Sequence, residues 1–111
     1  DLHGVHDWRT EATLFLPSDD WETQHAALRV AWDSSPMADV KSWRAPVLLV
    51  HGDDDHSVKF KQTVQLVEAL RAQGVEFEQL IFPDEAHEFL MHAHWLETFH
   101  AAAEFFDKHL R

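Results

Sequence analysis

The sequence contains no cysteine, which removes disulfide bonds, thiolate catalysis and cysteine-based zinc sites from consideration. Glycine and proline are also scarce, with three and four residues, and neither internal repeats nor low-complexity tracts occur. We therefore expect one continuous unit without a linker. The lack of cysteine does not decide between a cytoplasmic and a periplasmic or secreted location, because proteins of all these compartments can lack it.

Basic residues are few: 9 Lys and Arg stand against 20 Asp and Glu, which gives a formal net charge of -11. Nucleic acids and anionic membrane surfaces need a cationic footprint, so neither is an expected partner. No run of about 18 or more apolar residues occurs, and no charged-then-apolar leader is present, so the sequence predicts neither a membrane span nor a signal peptide.

Apolar residues are plentiful, at 45% of the chain, and they recur with the periods of helices and strands. Asp19 is placed to cap the first helix, and Gly74 to end the second in a left-handed conformation. Strands that alternate with helices indicate an α/β fold with a parallel sheet. The predicted elements are a helix over about 19–32, a strand over 46–51, a helix over 60–72, a strand over 75–82 and a helix over 93–109.

Two strands make an incomplete sheet, because their apolar faces and edges would be open to water or to other chains. The sequence therefore predicts a fragment of a larger α/β domain, and it leaves homo-oligomerisation open. Trp21 and Trp32 lie on the apolar stripe of the first predicted helix. They are predicted core or domain-interface residues rather than a platform for a ligand.

Two loops follow the predicted strands, and open parallel sheets hold their active sites at the carboxyl ends of strands. The first reads His51-Gly-Asp-Asp-Asp-His-Ser-Val58 and the second Pro83-Asp-Glu-Ala-His-Glu-Phe89. A histidine with a pKa near ~6.5 can take a proton from a serine hydroxyl and return it to a leaving group. A carboxylate behind the ring fixes the tautomer and stabilises the imidazolium. The loops are therefore predicted to bring a base and its orienting acid together.

The residues of both loops also resemble a known family. Ala45–Val58 resembles the strand and acid loop of the prolyl oligopeptidase family of α/β-hydrolases: a proline, an apolar run, His-Gly, two residues, the triad Asp, two residues and Val. Phe82–Phe89 is similar to that family's histidine loop, and Phe105–Leu110 to the end of its C-terminal helix. The resemblance implies that Asp55 is the acid of a catalytic triad and that His87 is its base.

Leu2–Trp8 also resembles a segment that follows the nucleophile elbow in bacterial relatives, so the resemblance covers nearly the whole chain. No Gly-x-Ser-x-Gly occurs, and the serine is expected before residue 1. Residues 1–111 are thus expected to be the C-terminal portion of a peptidase catalytic domain that lacks the nucleophile elbow. The expected partners are a peptide substrate and the missing N-terminal part of that domain, and no cofactor or metal is expected.

The function that the resemblance implies is that of a serine-type peptidase, an exopeptidase or oligopeptidase, which works through an acyl-enzyme in the parent protein. The fragment alone is expected to be inactive. Ala86 and Glu88 replace glycines that commonly flank the family histidine, and Lys59 stands where a proline often follows Val58. None of these departures removes a catalytic group.

Three alternatives stay open. A carboxylesterase or lipase-like α/β-hydrolase would use the same acid and base, and a non-catalytic interaction module would associate through exposed strand edges. A metal site is the third, since histidines and nearby carboxylates supply suitable ligands, although no His-x-x-x-His with an intervening Glu occurs. The histidines considered for it are His51, His56, His87, His92 and His94.

Overall fold

The computed structural model describes residues 21–111, which form an α/β arrangement with parallel strands. Apart from a short helix and a 3-10 turn ahead of the first strand, the observed order is the predicted one of helix, strand, helix, strand and helix. Asp19 and the segment Leu2–Trp8 lie outside the described residues. The elements are α1 (Trp21–Asp33), α2 (Pro36–Asp39), a 3-10 turn (Val40–Ser42), β1 (Val47–Gly52), α3 (Lys61–Gln73), β2 (Phe77–Phe82) and α4 (His92–His109).

The described part of the sheet consists of β1 and β2, paired in parallel from Val47 opposite Phe77 to Gly52 opposite Phe82. Both strands therefore end at the same edge, and the loops that follow them are neighbours. The residues of β1 before Gly52 are only partly buried. One partner strand and the packed helices therefore cover β1 incompletely, as expected for part of a larger sheet.

Local sequence explains where the helices end. Gly74 has a φ of 67°, in the left-handed region that costs glycine little, and it ends α3 as predicted. The unpredicted helix α2 begins at Pro36, directly after Ser35, whose side chain accepts a hydrogen bond from the Met37 N–H at 3.3 Å. The same serine and proline end α1, so one short sequence both stops a helix and starts the next.

The hydrophobic core lies between α3, the 3-10 turn and the strands. Leu70 is fully buried there, because helical spacing turns it and its neighbours toward the sheet. The core consists of Val40, Leu66, Leu70 and Val75, with Met37, Trp43, Val47, Leu49, Ala69 and Phe77 packed against it.

Large apolar side chains remain exposed on the outer helices. Trp21 and Trp32 are 67% and 56% exposed, so they are not core residues of the described part of the chain, and their place at a domain interface stays a prediction. In residues 21–111 no helix combines the length and the apolar character needed to cross a membrane. The exposed large apolar residues of α4, termed here the α4 apolar face, are Trp95, Leu96, Phe99 and Phe106.

Candidate active site

Two loops at the carboxyl edge of the strands form the candidate site: the acid loop (residues 53–58) after β1 and the histidine loop (residues 83–91) after β2. Hydrogen bonds join the loops directly and fix their separation. These bonds run from Asp53 N–H to Phe82 O (3.1 Å), from Asp54 N–H to Glu85 O (3.1 Å) and from Asp84 N–H to Asp53 Oδ1 (2.8 Å).

Gly52, the last residue of β1, allows this close approach. A Cβ atom at Gly52 would lie 2.1 Å from the carbonyl oxygen of Glu85, far inside van der Waals contact. Only glycine therefore lets the histidine loop pass so near the end of β1. The glycine of the His-Gly motif is thus explained by the packing of the two loops.

We expect Gly52→Ala to push the histidine loop away from β1, because the new methyl group meets backbone rather than a flexible side chain. Misplacement by about 1 Å can lower kcat/KM about 100-fold, and the overpacking should cost about 1–3 kcal/mol of stability. The measurements are steady-state kinetics and urea unfolding of the full-length protein.

Gly74→Ala is the matched control for this substitution. Gly74 has open space around it but a positive φ, so the substitution should cost about 1–2 kcal/mol and leave kcat/KM unchanged. Equal kinetic effects of the two substitutions would contradict the packing argument.

Asp55 is buried at the centre of the acid loop, with 6% of its surface exposed. Its Oδ1 accepts hydrogen bonds from the backbone N–H groups of Ser57 and Val58, both at 2.8 Å. Its Oδ2 lies 2.8 Å from Nδ1 of His87. The structure thus places the two residues expected to be acid and base in direct contact, with the carboxylate held from both sides.

The pKa of the Asp55 carboxyl is set by opposing effects. Burial raises this pKa, but hydrogen bonds from the Val58 N–H, from the His87 imidazole and from the Ser57 N–H outweigh burial. The pKa therefore lies below the ordinary value of 3.8. Asp55 is ionised at neutral pH and suited to stabilise an imidazolium.

The contact between His87 and Asp55 uses only one of the two ring nitrogens of His87. Because Asp55 Oδ2 accepts from Nδ1–H, Nε2 is the nitrogen left to take up a proton. The His87 side chain is 32% exposed, in contrast to the 2% of the Asp55 side chain. This arrangement can accept a proton from a hydroxyl group and return it.

Sequence reasoning considered His51 only as a metal ligand, but the structure shows that it contacts the same carboxylate. Its Nε2 lies 3.0 Å from Asp55 Oδ2 and 2.9 Å from Val58 O, and its Nδ1 lies 2.6 Å from Thr63 Oγ1. The one available signal was its place at the end of a strand, four residues before Asp55. The side-chain contacts themselves depend on the folded loop.

Glu85 is a second residue that sequence reasoning missed, and it is only 2% exposed. Its carboxylate accepts hydrogen bonds from the N–H groups of Leu90 at 2.7 Å and Met91 at 3.1 Å, and from Nδ1 of His94 at 2.5 Å. These bonds satisfy backbone donors ahead of α4 and close the histidine loop around His87. Glu85 therefore fixes both ends of the segment that carries the expected base.

Several contacts lower the pKa of Glu85 below its ordinary value of 4.5. Burial raises this pKa, but the hydrogen bonds from the Leu90 N–H, the His94 imidazole and the Met91 N–H have the larger combined effect. A carboxyl with a depressed folded-state pKa adds stability above its unfolded pKa and loses that contribution as pH falls through the folded pKa.

We therefore expect Glu85→Gln to reduce stability at neutral pH and to flatten the decline of the unfolding free energy below pH 4.5. Glu88→Gln is the matched control, because Glu88 is an exposed residue of the same loop. Urea unfolding of the full-length protein at neutral and acidic pH measures both effects. Parallel pH curves for wild type and Glu85→Gln would contradict this assignment.

Asp53 and Asp54 are exposed turn residues, and Asp53 also has a structural contact. Its carboxylate accepts the N–H of Asp84, a residue with a φ of 59°. Aspartate tolerates this left-handed conformation better than most residues. Asp54 forms a surface pair with His56 at 3.3 Å.

Four of the five histidines considered as metal ligands have carboxylate partners, and these partners lie at different places. His51 and His87 meet at Asp55, whereas His56 pairs with Asp54 and His94 with Glu85.

Another group with metal-ligand spacing lies in the described residues, where single oxygen or nitrogen atoms of Glu76, Glu78 and His109 come within 4.8 Å of one another. Lys108 Nζ already bonds both carboxylates, at 3.2 Å and 2.7 Å. This contact with Glu78 raises the pKa of Lys108 and lowers that of Glu78. An ion-pair network accounts for the group.

Comparison with known proteins gives relatives that are hydrolases. Dipeptidyl-peptidase 5 of Porphyromonas endodontalis is 34% identical over 67 residues, which cover 60% of this chain and 10% of that protein. The mouse acylamino-acid-releasing enzyme is 32% identical over 83 residues, or 75% of this chain and 11% of that protein. The chain thus spans about a tenth of the length of these relatives.

Among solved structures, a thermophilic esterase from Thermogutta terrifontis matches with a TM-score of 0.51 and 27% identity. The match covers 59% of this chain and 26% of the esterase. It confirms the α/β class, with helices alternating with parallel strands. The model of the prolyl oligopeptidase family matches residues 2–111, and because this is almost the whole sequence, the chain belongs to the prolyl oligopeptidase family.

Proposed function

We propose that this chain supplies the acid and the base of a serine peptidase that works through an acyl-enzyme. The observation that carries the proposal is the 2.8 Å contact between the buried Asp55 carboxylate and the half-exposed His87 imidazole. The two groups lie at the carboxyl edge of parallel strands, where sheets of this class bind their substrates. Membership of a peptidase family supports the same assignment.

The proposed reaction needs a serine that these 111 residues do not offer in a Gly-x-Ser-x-Gly elbow. We propose that another part of the protein supplies it. His87 Nε2 takes the hydroxyl proton as the serine oxygen attacks the peptide carbonyl, and it returns that proton to the departing amine. A water molecule then attacks the acyl-enzyme by the same route, while Asp55 holds the tautomer of His87 and stabilises its charged form.

Contact with the rest of a catalytic domain is part of this proposal. The α4 apolar face, which includes Phe99 at 62% exposure, groups several large apolar side chains on one helix. Exposed apolar residues scattered singly need no explanation, but a group of them is typical of an interaction surface. We propose that the part of the domain that carries the serine packs against this face and the open sides of β1 and β2. The 111-residue chain expressed alone should then be inactive.

The substrate is proposed to be a peptide cleaved near its amino terminus. The named relatives are a dipeptidyl-peptidase and an acylamino-acid-releasing enzyme, and both names describe release of units from that end. We extend this to the present protein as an expectation for the full-length enzyme. An endo-acting oligopeptidase would use the same acid and base.

A carboxylesterase is the second candidate function, favoured by the structural likeness to the Thermogutta terrifontis esterase. Both reactions pass through an acyl-enzyme, so Asp55 and His87 would keep their roles. The leaving group separates the two functions: a peptidase must protonate an amine, whereas an ester releases an alcohol that leaves more readily.

The test uses the full-length protein and a fluorophosphonate probe that labels activated serines. Labelling should be accompanied by hydrolysis of dipeptidyl or N-acetylaminoacyl nitroanilides. Hydrolysis of nitrophenyl esters alone would support the esterase. Absence of both labelling and turnover would overturn the proposal and favour the interaction module.

A further inference from the structure

His51 is a buried titratable residue that the proposed reaction does not use. Its side chain is 11% exposed, and it sits near the end of β1 with its ring against Phe60 at a centroid distance of 5.6 Å. Both ring nitrogens have polar partners, one side toward Asp55 and Val58 and the other toward Thr63. A ring held at three points adopts one orientation.

The partners of His51 determine which nitrogen carries hydrogen. Nε2 faces two oxygens without a proton, the ionised carboxylate of Asp55 at 3.0 Å and the carbonyl of Val58 at 2.9 Å. Two acceptors leave Nε2 only the role of donor. The Thr63 hydroxyl near Nδ1 can donate or accept, so it is compatible with this assignment.

We propose that His51 is a positioning residue that donates from Nε2 to the same carboxylate oxygen that His87 contacts, and thereby limits the negative charge that Asp55 presents to His87. The inference rests on the proposed function of Asp55 and His87. It differs from a packing role because it concerns the charge of one oxygen atom. Asp55 Oδ2 then serves two imidazoles, while Oδ1 serves two backbone N–H groups.

The sign of the effect follows from electrostatics. A donor to Oδ2 draws negative charge toward itself, so less remains to stabilise a proton on His87. Removing that donor should make protonated His87 more favourable. The acid limb of the pH profile of kcat/KM, where the base must lose its proton, should therefore move to higher pH.

Other titratable groups around the site stay constant in this comparison. Glu85 and His94 bond to each other where the histidine loop meets α4. The remaining titratable residues of the acid loop, of the histidine loop and of the positions directly after them are exposed: Asp53, Asp54, His56, Lys59, Asp84, Glu88 and His92.

The experiment compares pH profiles of kcat/KM for the full-length wild type, His51→Phe and His51→Gln. In the pH profile of kcat/KM, we expect the acid limb of His51→Phe to lie roughly half a pH unit to one pH unit above that of the wild type. The substitution should change kcat more than KM. Glutamine places an amide N–H near the position of Nε2, so His51→Gln should restore the wild-type limb. His56→Phe is the matched control and should leave the limb in place, because the His56 side chain is 88% exposed.

A second measurement needs no variant. Nitrogen-15 NMR of the histidine-labelled wild type should show a proton on Nε2 of His51, and an unprotonated Nε2 would overturn the proposal even if His51→Phe fails to fold. An unmoved or lowered acid limb in folded His51→Phe would also overturn it. If the wild type neither turns over nor labels, the proposed function has failed, and the NMR result alone decides on the hydrogen bond.

Discussion

Replacing His87 with alanine should lower kcat of the full-length protein by about 10⁶-fold, the order of magnitude found when a triad base is removed. The physical reason is that Asp55, the group bonded to His87, cannot take over the proton, because it is buried behind the imidazole and its carboxylate oxygens already accept hydrogen bonds. Fluorophosphonate labelling should disappear with turnover. Near-ultraviolet circular dichroism should stay unchanged, because the ring is partly exposed.

His56→Ala is the matched control for this substitution, since it removes a histidine from the neighbouring loop that is 88% exposed. It should keep both labelling and kcat. If His87→Ala retained more than about a hundredth of the wild-type kcat, a loss on the scale of general acid–base catalysis alone, the assignment of His87 as base would be wrong.

Asp55→Asn should lower kcat by about 10⁴-fold while the fold is kept. The amide can turn its N–H₂ toward His87 Nδ1, which then accepts, so that the ring proton moves to Nε2. With its proton on that nitrogen, His87 cannot take another from serine. The charge on the Asp55 carboxylate that would stabilise an imidazolium is also removed.

Asp54→Asn is the matched control for Asp55→Asn, because it makes the same chemical change one residue earlier, on an exposed side chain. It tests whether the loss of activity depends on the carboxylate that contacts His87 or on any aspartate of the acid loop. It should keep wild-type kcat. The two variants should also differ in how their free energy of unfolding depends on acidic pH. The depressed pKa of Asp55 adds stability above its unfolded pKa of about 3.8, and this contribution is lost as pH falls through the folded-state pKa. Equal kinetics for both variants would contradict the choice of Asp55.

The order of elements could be predicted because periodicity records which residues face the core. Parallel strands in that order place their following loops at one edge, and this is why the approach of Asp55 and His87 could be anticipated. The helix α2 was not predicted, because four residues make about one helical turn and are too few to show a repeating pattern of apolar residues. Its cap at Ser35 and its first residue Pro36 also fit the end of α1.

Features that depend on three-dimensional contact could not be predicted. An apolar stripe shows that Trp32 belongs on one face of α1, but the stripe does not show whether another element covers that face. Glu85 lies in the histidine loop that the sequence pattern identifies, but the pattern does not reveal its role. Its partners, among them His94, become neighbours only when the loop closes. The roles of His51 and Gly52 depend in the same way on how the loops meet.

The pairing of Gly52 with Phe82 at the ends of the two strands fixes where the acid loop and the histidine loop begin relative to each other. A slip of one residue between β1 and β2 would carry the two loops past each other by about 3.3 Å, more than the length of the bond between Asp55 and His87. The register of the two strands, which begins with Val47 opposite Phe77, thus sets the distance between Asp55 and His87. Substitutions inside β1 or β2 that shift this register should therefore separate the acid from the base, although they lie away from both residues.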